Sequence, residues 1–343
     1  MNSKIKVDSA SQVPVYKQIM QSIRDLVNEG EYEVGDFLPS MNELSAELNI
    51  SKETVKKAYA LLRDEELIGS AQGKGFYITN KNGNKIRILV LFDKLSTYKQ
   101  VLFSSFMNHI GELSEITIRL HNQDVDLFEQ FVEENLDKFD YYIVTPHFSL
   151  EEDIQNRVVR TLKRIPNRKL ILLDRYIEEL KGNFGSVYQD FENDIYDGLC
   201  QGKEDILKFR KLNIVSMKGS LYSPIIEKGI KRFCDENGIQ YEFHHTINQN
   251  KIEKGEIFLI LNSQLDSELI ELVKIAKMKG CRIGKDIGII SYNESPINEI
   301  ILDGLTVMST DFIQMGELAA LMILEKPFRK IRCNFRLIRR STF

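Results

Sequence analysis

Polar side chains follow several apolar runs in the second part of this 343-residue chain, at points where parallel strands would end. In open α/β sheets, ligands bind beyond the carboxyl ends of the strands. Carboxylates, amides, a guanidinium and nearby aromatic rings together are the groups that bind a sugar. We therefore expect at least half of the following residues to line one cleft as ligand-binding residues: Asp93, Tyr98, His147, Asp174, Arg175, Tyr222, Asn262, Asn293 and Glu294.

A second set of side chains suits a nucleic acid. Lys52, Lys56 and Arg63 follow each other at i, i+4 and i+11, so that one helix would carry all three on an outward face. The apolar residues of the same stretch fall on the opposite face, which would pack against a core. They are Val55, Ala58, Tyr59 and Leu62.

The elements that would position these cations are a helix-turn-helix and a hairpin. Ser40 and Glu43 form a capping-box pattern that begins one helix, and Ser51 caps a third helix of about twelve residues after a tight turn. Gly73 and Gly75 then predict a β-hairpin with Lys74 at its tip, because glycine tolerates the positive φ angles of tight turns. This order predicts a winged helix-turn-helix.

The rest of the chain has a different sequence pattern, in which apolar runs alternate with amphipathic stretches of helical period. The runs lie at residues 86–92, 141–145, 170–173, 212–217, 257–261 and 287–290. Such alternation predicts βαβ units and parallel sheets covered on both faces. The polar segment NKNGNK between the two sequence patterns predicts a domain boundary. We expect one domain at residues 1–80, a linker at 81–85 and a second domain at 86–343.

Composition excludes several classes of protein and restricts others. The net charge is −4, and residues 1–80 contain 9 basic and 12 acidic residues, so any contact with DNA must be local. The four cysteines lie far apart and the histidines show no metal-ligand spacing, which predicts free thiols and neither metal nor cofactor. We see no signal peptide and no run long enough to span a bilayer, so we expect a cytoplasmic protein without a membrane partner.

Residues 10–79 resemble the GntR family of regulators. The resemblance rests on VPVYKQI at 13–19, GDFLPS at 35–40, NISKETV at 49–55 and QGKGF at 72–76. It implies contacts with DNA from the second helix, the third helix and the wing. Carried over by position, the DNA-binding residues are Ser40, Asn42, Ser51, Lys52, Thr54, Lys56, Gln72 and Gly73. Asn42 and Lys52 stand where the family usually has Arg. Because Lys cannot form the paired hydrogen bonds of a guanidinium, the DNA bases that this helix would prefer stay open.

Residues 86–343 resemble the effector domains of LacI/GalR regulators, which share the fold of periplasmic sugar-binding proteins. The order GIISYNES at 288–295, LTVMSTDF at 305–312 and a helix from Met315 carries most of the resemblance, with LLDR at 172–175. The resemblance implies two α/β lobes joined by three crossovers, with a ligand in the cleft between them. The expected fold class is therefore α/β, with a doubly wound two-lobed domain after the winged helix-turn-helix.

Together the two resemblances imply a bacterial transcription regulator, a repressor rather than an enzyme, that acts as a homodimer on double-stranded operator DNA. A monosaccharide or a sugar phosphate is the expected effector. Ile226 stands where the family often has Arg, which favours a deoxy sugar such as fucose. Three alternatives stay open: an activator that senses a nucleoside or another non-sugar metabolite, a fused aminotransferase, and a transport protein. We find no lysine in a sequence context typical of pyridoxal-phosphate binding, no P-loop and no GxSxG motif that would support an enzyme.

Overall fold

The computed structural model describes residues 4–8, 11, 13–71, 75–79, 85–111, 114–216, 219–247, 252–261, 267–325 and 328–343. The chain divides into two compact units, Met1–Ile86 and Arg87–Phe343. Residues 81–84 of the predicted linker lie outside the described residues, and the predicted domain limits stay predictions. None of the helices formed by the described residues is long and apolar enough to cross a bilayer.

The first unit is a helical domain followed by a short hairpin. Its elements are α1 Val15–Asn28, α2 Met41–Glu47, α3 Lys52–Asp64, β1 Ile68–Ala71 and β2 Gly75–Ile78. Ser40 forms the expected capping box: its hydroxyl accepts from the Glu43 amide at 3.2 Å, and its own amide donates to the Glu43 carboxylate at 2.8 Å. Ser51 caps α3 by accepting from the Thr54 amide at 3.2 Å. These caps begin α2 and α3 at the predicted residues.

The core of this unit joins all of its elements. The four residues of α3 that the pattern placed inward are fully buried, together with Ile19 and Ile23 of α1 and Leu44 of α2. The hydroxyl of the buried Tyr59 donates to the carbonyl of Pro39 at 2.8 Å, which fixes α3 against the start of α2. β1 and β2 pair antiparallel from Ile68 opposite Ile78 to Ala71 opposite Gly75, as expected for a wing.

The second unit contains two six-stranded sheets, each the centre of one lobe. The first lobe has the strand order β13-β7-β6-β5-β3-β4. Its elements are β3 Ile86–Phe92, α4 Thr97–Ile110, β4 Ser114–Leu120, α5 Val125–Asn135, β5 Tyr141–Val144, α6 Glu152–Leu162, β6 Leu170–Arg175, β7 Gly185–Gln189, α11 Phe312–Glu325 and β13 Lys330–Arg332. The apolar runs at 86–92, 141–145 and 170–173 form its central strands, as predicted.

The second lobe has the strand order β14-β12-β11-β10-β8-β9, in which only the edge strand β14 runs antiparallel to its neighbour among the described pairs. Its elements are α7 Phe191–Gln201, α8 Lys203–Ile206, β8 Lys211–Val215, α9 Ser223–Asn237, β9 Gln240–His244, β10 Glu256–Ile260, α10 Ser267–Met278, β11 Ile287–Tyr292, β12 Thr306–Thr310 and β14 Phe335–Ile338. Apolar clusters cover both faces of this sheet, which explains why its strands read as continuous apolar runs.

The chain passes between the lobes at three short connections within the described residues. These connections lead from β7 to α7, from β12 to α11 and from β13 to β14. The fold therefore has the two doubly wound lobes and the three crossovers that the sequence predicted.

Residues 326–343 contain seven cations and no acidic residue, a pattern that predicts one final strand with solvated cations, but the structure of the C-terminal segment differs. It forms two strands, β13 and β14, in different sheets. Several of its cations are paired, because carboxylates of the second lobe lie alongside: Arg332 with Asp194 at 2.7 Å, and Arg340 with Glu294 at 2.8 Å. The prediction of solvated cations was therefore wrong for these two arginines.

Candidate ligand cleft and DNA-contact face

A buried carboxylate, Asp174, lies at the centre of the polar residues at the strand ends of the first lobe. Its Oδ2 accepts from the Tyr98 hydroxyl at 3.0 Å and lies 2.7 Å from Nε2 of His147, and its Oδ1 accepts from the Gln189 amide. Asp174 has a φ of +74°, a left-handed conformation that residues other than glycine rarely adopt. Backbone strain of this kind clusters at functional sites.

A second buried carboxylate, Asp93, follows β3 and is neutralised by Lys99 of α4. Both side chains are almost fully buried, and the Lys99 ammonium donates to Asp93 Oδ1. Thr145 joins the pair from the end of β5, because its hydroxyl donates to the same oxygen at 3.1 Å. The two carboxylates thus belong to one polar cluster built on β3, β5, β6 and the first turn of α4.

The environment holds both carboxylates in their charged form. Burial alone would raise the pKa of Asp174, but His147 and Lys99, with the hydrogen bonds from His147 and Gln189, hold that pKa well below its usual range. Burial likewise opposes ionisation of Asp93, and the His147 and Lys99 charges lower its pKa nevertheless. Burial, followed by the charges of Asp174 and Asp93, raises the pKa of Tyr98, so that its hydroxyl stays a donor.

Aromatic rings from both lobes border this cluster. Tyr98 stacks on Phe312 with ring centroids 4.4 Å apart. Tyr222, the residue before α9, stacks on Phe191 at 4.4 Å and meets His147 edge-on at 5.0 Å. Because Tyr222 belongs to the second lobe and His147 to the first, the cluster lies between the lobes.

A cavity of about 430 Å³ opens beside the cluster, between the start of α4 and the end of β11. Polar and apolar side chains of both lobes line it, including Leu95, Thr97, Gln100, Ser291, Asn293 and Asn298. The Oδ1 of Asn293 is buried and has no hydrogen-bond partner among the residues that the structure describes, and the φ of +68° of Asn293 places a second strained residue at a strand end. The buried hydroxyl of Ser96, which directly precedes α4, also has no partner among the described residues, and Tyr222 directly precedes α9.

The predicted ligand-binding residues thus fall into four groups. Asp93, Tyr98, His147, Asp174, Arg175 and Tyr222 come together at the cluster, and Asn293 lines the cavity. The carboxylate of Glu294 is paired with Arg340. Asn262 lies outside the described residues. Their role in binding a ligand stays a prediction.

Strand-end reasoning missed three members of the cluster: Lys99, Gln189 and Thr310. Lys99 had a signal, because it lies three residues before Leu102 and seven before Phe106 and therefore shares the buried face of α4. Gln189 ends β7 as a polar residue after a buried strand, so the rule that selected Asp174 applies to it as well. Nothing in the local sequence shows that Thr310, on the other lobe, bonds Gln189 at 2.7 Å.

The first unit presents its predicted DNA contacts on the exposed starts of α2 and α3. Asn42, Lys52 and Lys56 are exposed, and Lys56 lies 3.5 Å from Glu53, one turn away, which is a weak surface pair. The hydroxyls of Ser40 and Ser51 are used as helix caps, and Thr54 bonds Ser51 at 2.8 Å. Gln72 and Gly73 lie outside the described residues, as does Lys74.

Comparisons with known proteins agree with this division. Residues 15–78 match the family described as bacterial regulatory proteins, gntR family. The HTH-type transcriptional repressor YtrA of Bacillus subtilis is 39% identical over 75 residues, which span 22% of this chain and 58% of that protein. The first unit is therefore a winged helix-turn-helix of the GntR type, as predicted.

Solved structures resemble the second unit. The Lac repressor dimer bound to operator aligns with a TM-score of 0.58 at 15% identity, covering 76% of this chain and 94% of that one. The trehalose repressor from Escherichia coli aligns with a TM-score of 0.59 at 11% identity, covering 74% of this chain and all of that one. The second unit thus has the periplasmic-binding-protein-like fold of LacI/GalR-type repressors.

Proposed function

We propose that this chain is a bacterial transcription regulator that binds operator DNA through its first unit and a small effector between the lobes of its second. The observation that carries the proposal is the exposed start of α3, with Lys52 and Lys56, in a unit that matches the GntR family. α3 is the recognition helix in this proposal and would enter the major groove, while the β1–β2 hairpin would lie on the adjacent backbone.

Repression by a homodimer is the form of regulation that the relatives favour. YtrA is named a repressor, and the Lac repressor structure is a dimer bound to operator. The acidic composition of residues 1–80 supports a dimer, because each half-site would contribute few phosphate contacts and two half-sites are needed for affinity. Binding to operator DNA would place the protein in the cytoplasm.

The effector in this proposal is a monosaccharide or a sugar phosphate. The cluster around Asp174 places polar side chains beside the rings of Tyr98 and Tyr222, which suits sugar hydroxyls and a sugar face. The apolar Ile226 is consistent with a deoxy sugar of the fucose type. An activator that senses a nucleoside is the alternative, since stacked aromatic rings also suit a base.

Control of DNA binding requires that the effector bind one state of the lobes more tightly than the other. Tyr222 contacts His147 across the cleft, and Thr310 bonds Gln189, so a ligand placed there would alter contacts between the lobes. A change in lobe closure within a dimer would change the spacing of the two DNA-binding units.

The test is to recover DNA fragments from the source genome with the purified full-length protein and to sequence them. A regulator should enrich one or a few sites with two-fold symmetry, and sugars that stabilise the protein should change its affinity for those sites. The proposal fails if no fragment is enriched over bulk DNA at 0.15 M salt, or if no stabilising ligand alters the affinity.

A further inference from the structure

We propose that the effector carries a negatively charged group, a carboxylate or a phosphate, and that Arg175 binds this group. The inference rests on the proposed function and specifies the chemistry of its ligand. Arg175 ends β6 directly after Asp174, and its side chain is half-buried at the same cluster.

Among the described residues, the guanidinium of Arg175 uses only part of its hydrogen-bonding capacity. A guanidinium has five N–H donors, and that of Arg175 donates to the carbonyl of Pro146 at 3.2 Å. It forms no ion pair within the part of the chain that the structure describes. A partly desolvated arginine without a carboxylate partner is costly unless a ligand supplies the anion.

The two carboxylates of the cluster, those of Asp174 and Asp93, already have hydrogen-bond or ion-pair partners. Both oxygens of Asp174 are occupied by Tyr98, His147 and Gln189. Asp93 is bonded by Lys99 and Thr145. Neither of them bonds the guanidinium of Arg175, so the charge of Arg175 is available to an anion that enters the cleft.

The surroundings of Arg175 suit an anion. The Tyr222 side chain lies close enough to Arg175 for that cation to oppose the rise in the pKa of Tyr222 that burial causes. The Tyr222 hydroxyl is buried beside the Arg175 guanidinium, and Tyr222 precedes α9 without capping it. Ser96, 5% exposed, likewise precedes α4 without capping it, and its hydroxyl has no hydrogen-bond partner within the described part of the chain. Helix N-termini carry partial positive charge, which favours an anion near the start of α9.

The experiment measures ligand binding to the full-length protein by thermal shift and then by calorimetry. The panel contains matched neutral and charged sugars: glucose, galactose, mannose and fucose, then glucuronate and galacturonate, then glucose 6-phosphate and fructose 6-phosphate, with inorganic phosphate as the minimal probe. The acid and phosphate arms distinguish the two sources of charge. We expect a charged member to bind at least tenfold more tightly than its neutral parent.

Variants assign the effect to Arg175. Arg175→Gln should weaken binding of the charged ligand on the order of tenfold to a hundredfold, because it removes a charge-assisted, bidentate contact. Arg175→Lys should retain part of the affinity, and it also guards against a folding defect in the first variant. Arg168→Gln, on the exposed surface after α6, is the matched control and should bind like the parent.

The inference is overturned if a neutral sugar binds as tightly as its charged counterparts, if Arg175→Gln binds the charged ligand normally, or if no charged probe binds. The proposed function fails separately. A charged ligand that binds through Arg175 but leaves DNA affinity unchanged would support the anion site and contradict the regulator, whereas a neutral sugar that releases DNA would do the opposite.

Discussion

The hydroxyl of Thr310 donates to Oε1 of Gln189 at 2.7 Å, although the two residues are 121 positions apart and belong to different lobes. Thr310 ends β12 and Gln189 ends β7, the strands that lead into two of the crossovers. Gln189 donates in turn to Asp174, so this bond connects the second lobe to the centre of the candidate cleft.

Thr310→Val should lower the free energy of unfolding of the second unit by about 1–3 kcal/mol, because it leaves the buried Gln189 oxygen without a donor. Urea titrations followed by circular dichroism measure this change. Thr310→Ser retains the hydroxyl and should lose much less. A loss in Thr310→Val that is no larger than the loss in Thr310→Ser would contradict the role assigned to this hydrogen bond.

Acid should destabilise the protein through His121. This ring is fully buried and stacks on Phe148 at 4.4 Å. Its Nδ1 accepts from the Gln123 amide, and Nε2 lies 3.2 Å from the Thr145 carbonyl, an arrangement that suits the neutral ring. Burial lowers the pKa of His121 to about 4.

An unfolded chain protonates this histidine near its ordinary pKa of about 6.5, whereas the folded protein resists protonation until about pH 4. The stability contributed by neutral His121 is therefore present above pH 6.5 and is lost as the pH falls toward 4, by about 3 kcal/mol in full. Urea titrations at several pH values should show a flatter dependence for His121→Gln. The exposed His109→Gln should keep the parental slope, and an unchanged slope in His121→Gln would contradict this assignment.

Reversal of charge at Lys52 and Lys56 should abolish operator retention in a gel, with a loss of at least about a hundredfold in affinity, since two cations facing DNA become two anions. Folding should be unaffected because both side chains are exposed. The matched control reverses Lys203 and Lys277, which are exposed on the second unit and change the net charge equally. Parental affinity in the Lys52/Lys56 double variant would refute α3 as the recognition helix.

Gly229→Ala should destabilise the second lobe by about 1–3 kcal/mol or more, because overpacking forces backbone shifts. A Cβ at this position would lie 2.1 Å from the Glu192 carbonyl oxygen of α7 and 2.6 Å from Ile195. Lys228→Ala, one residue earlier and exposed on the same helix, is the control and should change stability by less than about 0.5 kcal/mol. A small effect at Gly229 would mean that α7 and α9 separate easily. Thermal unfolding compares the two.

Apolar runs predicted the central strands well because both faces of those strands are buried. The edge strand β4, Ser114–Leu120, lacked that signal, since its residues are half-buried or exposed and do not form a continuous apolar run. The C-terminal segment was harder, because β13 and β14 differ in the sheet they join, and a two-residue connection between lobes has no local signature.

The candidate site followed from one topological rule, which brought Asp93, His147 and Asp174 together without knowledge of side-chain contacts. The rule selects positions, not partners. It therefore could not show that Lys99 neutralises Asp93 while Arg175 has no ion pair among the described residues, a difference that depends on packing between α4 and the sheet.

The crossovers make each lobe discontinuous in the sequence. In the sequence, β13 of the first sheet comes after most elements of the second lobe, and β14 then belongs to the second sheet again. No uninterrupted stretch of the chain therefore consists of one whole lobe and nothing else. A nonsense mutation or a protease cut just after Glu325 would remove an edge strand from both sheets at once. During synthesis on the ribosome, the first sheet would stay incomplete until β13 emerges and the second until β14 emerges.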